Sequence, residues 1–206
     1  MSKTLTRLFD TYAEAESAVR ELERMGVSHS DISIVANNGD GRHDAHDTAT
    51  HGVADADGDV SRGVGTGAVL GGAGGLLAGL GLLAIPGLGP IVAAGWLLST
   101  AAGASIGALG GGATGGIVGA LKNAGHTDEE AHVYSEGVRR GGSLVSAKVP
   151  DDMAANAAAA LDRLNAVDAT TRGDDYRATG WSAFDDKAPQ YTRDQIDAER
   201  SRTSRM

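Results

Sequence analysis

The pattern of apolar and polar positions divides the chain into short strands, amphipathic helices and one long stretch of different character. From Thr4 to Phe9 the residues alternate, with Leu5 and Phe9 on one face and Leu8 on the other, which predicts a strand. A helix follows. Thr11 with Glu14 forms a capping box, Tyr12, Ala15, Val19, Leu22 and Met25 recur at helical spacing, and Gly26 supplies the stop. Ile32 to Ala36 predicts a second strand. Past the long stretch, Thr127 and Glu130 form another capping box, Ala131, Tyr134 and Val138 line one helical face, and Gly141-Gly142 ends that helix. Leu144 to Val149 alternates as a third strand. Asp151 or Asp152 then caps a helix with Met153, Ala157, Ala160, Leu161 and Leu164 on one side, and a weak fourth strand starts at Val167. With the middle left out, strand-helix-strand occurs twice, so the expected fold class is α+β, a ferredoxin-like βαβ-βαβ module interrupted by an insertion.

The insertion is marked by its charge and its glycines. Residues 63–121 contain no Asp, Glu, Lys, Arg or His, whereas the segments on either side hold all 27 acids and 18 bases. Gly63, Gly67, Gly71, Gly75 and Gly79 recur every four residues, and so do Gly103, Gly107, Gly111, Gly115 and Gly119. Residues four apart share one helical face, so the spacing predicts a glycine-zipper helical hairpin whose stripes let backbones approach closely. Pro86, Gly87, Gly89 and Pro90 form its expected turn. The first arm, Val64 to Ile85, is about 33 Å long as a helix, enough to span a hydrocarbon core of about 30 Å, and Trp96 stands near the turn, where an interfacial aromatic belongs. The second arm is expected over Ile91 to Leu121. A water-exposed hairpin pays heavily for its 20 glycines between Gly63 and Gly119, at about 1 kcal/mol each. Burial in lipid, against the module or against other copies offsets that cost.

These boundaries give residues 1–37 as the first half of the module, 38–62 as an acidic His-containing linker, 63–122 as the hairpin, 123–172 as the second half and 173–206 as a polar tail expected to be disordered. Thirty-one Gly and eight aromatic residues in 206 exclude a single large core. The net charge of −9 without a basic stripe argues against nucleic acid as a partner, and the absence of Cys removes disulfides and thiolate chemistry.

Candidate sites are sparse. His43, His46 and His51 lie among Asp44, Asp47, Asp55, Asp57 and Asp59, but Val60 stands where a calcium loop needs Gly, and a solvated linker is the expected state. Glu129 and His132 have the Glu-x-x-His spacing of di-metal bundles, yet the hairpin supplies no further carboxylates, so Glu136 is expected to pair with Arg139 or Arg140. Ser99 and Ser105 have no base nearby in sequence, and no phosphate loop is present. No catalytic residue, cofactor or metal site is expected. In the tail, Tyr176, Gly180, Trp181 and Phe184 precede Asp185-Asp186 and either dock a partner or fold back over the sheet, and Gln190 to Arg202 has the content of a frayed helix.

Thr4 to Gly26, Asp31 to Asn37, the turn Ile85-Pro86-Gly87-Leu88-Gly89-Pro90 and the stretch Glu129-Glu130-Ala131-His132-Val133-Tyr134 through Gly142 together resemble the general stress protein 17M-like family, also called heat-induced stress protein YflT-like. The resemblance runs over about residues 3–170. It implies a bacterial protein of the general stress response and brings no catalytic activity or ligand with it. The expected function is therefore non-enzymatic: a self-associating homo-oligomer held at the cytoplasmic face of the inner membrane by its hairpin. The alternative is a soluble oligomeric regulatory or ligand-binding module with the hairpin packed between copies.

Overall fold

The computed structural model describes residues 2–39, 81–85, 87–97 and 116–203. Its centre is an antiparallel sheet formed by β1 (Ser2–Phe9), β2 (Ile32–Asn37), β3 (Gly81–Ile85), β4 (Gly89–Gly95) and β5 (Ser143–Pro150), in the order β1-β5-β2-β4-β3. Val167 adds one bridge to Leu8 on the outer side of β1, its N–H donating to the Leu8 carbonyl at 2.7 Å. The weak fourth strand is thus reduced to a single residue pair.

The alternation in β1 sends its side chains into two cores. Leu5 and Phe9 join Ile32, Ile34, Val145 and Val149 beneath α1 (Tyr12–Arg24). Leu8 faces the opposite way, with Val35 and Leu144, beneath α2 (Ile117–Asn123) and α3 (Asp128–Arg139). The first core is closed by Ala157 and Leu161 of α4 (Asp151–Asp162), which follows β5 directly. Both predicted capping boxes form: Thr11 accepts from the Glu14 N–H and Thr127 from that of Glu130, while each glutamate returns a bond to the cap. Gly26, at φ +92°, ends α1.

The insertion differs from the expected helical hairpin over Gly81–Gly95, while the end of its second arm, from Ile117, is helical. Gly81–Ile85 and Gly89–Gly95 are strands, and between them the Leu88 N–H donates to the Ile85 carbonyl at 3.0 Å. β4 pairs with β2, with Ala93 opposite Val35 and Gly95 opposite Ser33. The physical reason lies at Gly95. A Cβ there would sit 2.1 Å from the Ile32 carbonyl oxygen, so only glycine, at φ +91°, lets the chain leave β4 this close to β2. Ile91 and Ala93 thereby enter the second core without the helical cost of their neighbouring glycines. Trp96, expected at a lipid interface, is partly buried, with the Lys148 ammonium 4.3 Å from its ring centroid. Of the expected zipper positions, Gly119 sits half-buried on the seven-residue α2. Gly63, Gly67, Gly71, Gly75, Gly79, Gly103, Gly107, Gly111 and Gly115 lie outside the described residues, as do Pro86 and His43, His46 and His51 with their neighbouring aspartates.

The tail also departs from expectation. Instead of disorder from residue 173, it continues α5 (Ala169–Ala178), capped by the Asp168 side chain on the Thr171 N–H, and ends in α6 (Arg193–Thr203). These helices bury few residues, chiefly Arg172, Tyr176 and Ile196, so no apolar stripe announces them.

Candidate functional site

Two residues from each of Tyr134 and Val138, Glu136 lies on the side of α3 opposite the face they share, and it is buried because α5 and α6 cover that side, with Gly173 against Val133 and Glu199 on Arg140. Its carboxylate is fully buried and accepts from two consecutive arginines, Arg139 Nε at 2.9 Å and Arg140 Nε at 2.7 Å. The expected pairing with one arginine or the other is a pairing with both, in the interior rather than on a solvated face. Arg140 continues outward to Glu199 at 3.1 Å and lies 4.2 Å from the Tyr176 ring centroid. Burial opposes its charge, but the hydrogen bond and charge of Glu136, with Tyr191 and Glu199, outweigh that and hold the guanidinium pKa above its ordinary value. Beside it, Arg172 grips both oxygens of Asp10 at 2.7 and 3.0 Å. Burial pushes the Tyr176 phenol up to about 12. The cluster ties the end of β1, the end of α3, α5 and α6 together and leaves almost no free volume.

A second polar group crosses the sheet on its α3 side. Thr6 Oγ is 2.6 Å from His126 Nε2 and 2.8 Å from the Ser146 hydroxyl, and the Tyr134 hydroxyl donates to the Thr6 carbonyl at 3.2 Å. Glu130 stands 3.7 Å from His126 Nδ1. Hydroxyl, imidazole and carboxylate in line have the order of a nucleophilic triad, but Thr6 is 1% exposed and already bonded to Ser146, so no substrate atom reaches it. Burial, assisted by Arg7 and opposed by Glu130, lowers the His126 pKa. The arrangement fastens the turn between α2 and α3 to β1 and β5. Nothing local announces it, since its members lie 120 and 140 positions apart.

The Glu-x-x-His positions do not converge on an ion site. Glu129 pairs with Arg177, and His132 accepts the Phe184 N–H at 3.2 Å on Nδ1. Among the described residues no group of three or more His, Cys, Asp or Glu side chains is arranged to hold a metal. Asp128, His132, Arg177 and Trp181 border an open concavity of about 500 Å³. Trp181 stacks edge-on against Tyr176, with ring centroids 5.6 Å apart, and Phe184 packs on the second core, so the tail aromatics fold back over the body.

Residues 4–83 match the family model described as Heat induced stress protein YflT domain. The expected family is borne out over that span, which runs from β1 through β2 and the first glycine series into β3. No curated protein and no solved structure matches the chain.

Proposed function

We propose that this chain, which carries a heat-induced stress protein YflT domain over residues 4–83, is a non-enzymatic protein of the bacterial general stress response that acts by self-association through its glycine-repeat segments. The single observation that carries the reading is the anchoring of the repeats. Gly39 and β3 bound the first interval, and Leu97 and Gly116 bound the second, on one folded body. Within these intervals the uncharged stretches 63–80 and 98–115 offer apolar surface that close glycine-to-glycine packing with a second copy would bury. The module itself reads as ferredoxin-like: Val167, β1, β5 and β2 succeed one another across the sheet, with α1 and α4 on one face.

Of the two modes of association, packing of the insertion between copies is favoured over a membrane-crossing hairpin. The turn at Gly87 to Gly89 sits on the protein body beside Asp186 and Gln190, so it has no path to the far side of a bilayer. No helix among the described residues is long and apolar enough to cross a membrane. Attachment at the cytoplasmic face of the inner membrane then becomes a peripheral one, made by residues 63–80 or 98–115. The test is fractionation of native cells with an alkaline carbonate wash, combined with in-cell cross-linking of wild type and the Gly71→Leu/Gly111→Leu variant. The reading expects release by carbonate, cross-linked oligomers in the wild type and their loss in the variant. Retention in the washed pellet would restore the inserted hairpin, and unchanged cross-linking would remove the glycine mechanism.

A further inference from the structure

We propose that Asn38 is a self-modifying site: an Asn-Gly pair that the folded end of β2 holds inert, and that converts to aspartate and isoaspartate once β2 and β4 part. Asn38 is the one asparagine of five that precedes a glycine, since Asn37 precedes Asn38 while Asn123, Asn156 and Asn165 each precede alanine. The reaction needs no co-reactant but water. The Gly39 nitrogen attacks the Asn38 side-chain Cγ and closes a cyclic imide, and the side-chain nitrogen leaves as ammonia, taking up the proton that Gly39 gives up. Water then opens the ring at either carbonyl. One opening restores the main chain with an aspartate, and the other reroutes it through the side chain as an isoaspartate. Glycine is the favoured neighbour because no Cβ shields its nitrogen and its backbone turns freely.

The fold withholds both reacting groups. The Gly39 N–H donates to Asn37 Oδ1 at 2.7 Å, an Asx turn that keeps the proton on the nitrogen. Asn37 is itself fixed, its amide donating to the Leu88 and Arg139 carbonyls at 3.4 Å each. Asn38 is 3% exposed, and its backbone N–H donates to the Pro90 carbonyl at 2.9 Å, just beyond the ladder of β2 with β4. Ile196 lies over Gly39, where an added Cβ would come within 2.9 Å of its Cδ1. Swinging the Asn38 amide onto the Gly39 nitrogen therefore waits on local opening of this end of β2. The products do not fit back. A carboxylate is costly to desolvate at so buried a position, and an isoaspartate adds one carbon to the main chain beside the Pro90 bond. Each chain that has opened here is permanently marked, with its β2-β4 seam weakened.

Peptide mapping by mass spectrometry tests this on the full chain, incubated in mildly alkaline buffer with and without urea. In urea Asn38 is expected to gain the mass of an amide turned to an acid, faster than Asn123, Asn156 or Asn165, and the native chain should convert at least about tenfold more slowly. Gly39→Ala should remove the fast conversion in urea. Gly95→Ala, which strains β4 against β2, should raise the rate in the absence of urea by about tenfold or more, with the circular dichroism unchanged. Asn37→Ala, which frees the Gly39 N–H, should raise it too. Separation of isoaspartyl from aspartyl peptide distinguishes the imide route from direct hydrolysis. A native rate equal to that in urea, a native rate unmoved by both variants, or a product that is aspartate alone would overturn the proposal.

Discussion

Replacing Gly95 by Ala separates the strand from the helix at the point where the two accounts of the insertion differ most. In the sheet, Gly95 has φ +91°, and the new Cβ would lie 2.1 Å from the Ile32 carbonyl oxygen and 2.7 Å from the Ser33 Cα. Both are backbone atoms of β2, so no rotamer change relieves the overlap. The left-handed conformation costs an alanine about 1–2 kcal/mol, and forcing atoms into a packed site adds about 1–3 kcal/mol. The sum, about 3 kcal/mol, corresponds to a fall in Tm of roughly 6–12 °C for a chain of this size. Gly26→Ala is the control, because its φ is +92° but nothing lies within 4 Å of the added carbon, leaving only the conformational part. Calorimetry or urea titration of wild type and both variants measures the difference. A helix would respond the other way, since alanine stabilises a helical position by about 1 kcal/mol relative to glycine. A Gly95→Ala variant as stable as wild type, or more so, would refute the pairing of β4 with β2.

Three further outcomes follow from the buried polar groups. Glu136→Ala leaves Arg139 and Arg140 facing an emptied interior and should cost about 3–5 kcal/mol in urea unfolding, against within about 0.5 kcal/mol for the exposed Lys187→Ala. His126 has a folded pKa below its ordinary value, so below about pH 6.5 the unfolded chain takes up the proton first. Stability present above that pH is then lost as pH falls toward the folded pKa. Facing it are Thr6, Ser146, Tyr134, Glu130 and Arg7. His126→Asn should flatten the urea midpoint over this window, and an equally steep profile in the variant would count against the site. Ultraviolet titration of the native protein should show Tyr12, Tyr134 and Tyr176 ionising at about 12, with Tyr134→Phe removing one of the three.

Much of the flanking architecture was legible because its signals are local. The capping boxes at Thr11 and Thr127, the two-residue alternation in Thr4 to Phe9 and the apolar face of Met153 to Leu164 each fix an element within one or two turns of chain. The insertion was not legible in the same way. Its glycines recur at a helical interval, but in an uncharged run of Gly, Ala and Leu no polar positions mark an outer face, so period alone does not separate helix from strand. Gly95 stands eight residues before Gly103, on the same period, but its place is set by how closely β4 approaches β2. The tail was obscured for a different reason. Its anchors Tyr176, Ile196 and Glu199 are scattered single residues whose partners lie far back in the chain, and long-range ion pairs leave no periodicity. At Glu136 the local pairing with arginine was readable from the i+3 and i+4 spacing. Its complete burial depends on α6 and could not be read.

Sedimentation velocity without detergent, on wild type and the Gly71→Leu/Gly111→Leu variant at matched concentration, tests self-association through the glycine repeats most directly. The account predicts a discrete oligomer for the wild type and a monomer for the variant, with the same circular dichroism and the same protection of β1 and β5. A wild-type monomer, or two identical oligomers, would contradict it.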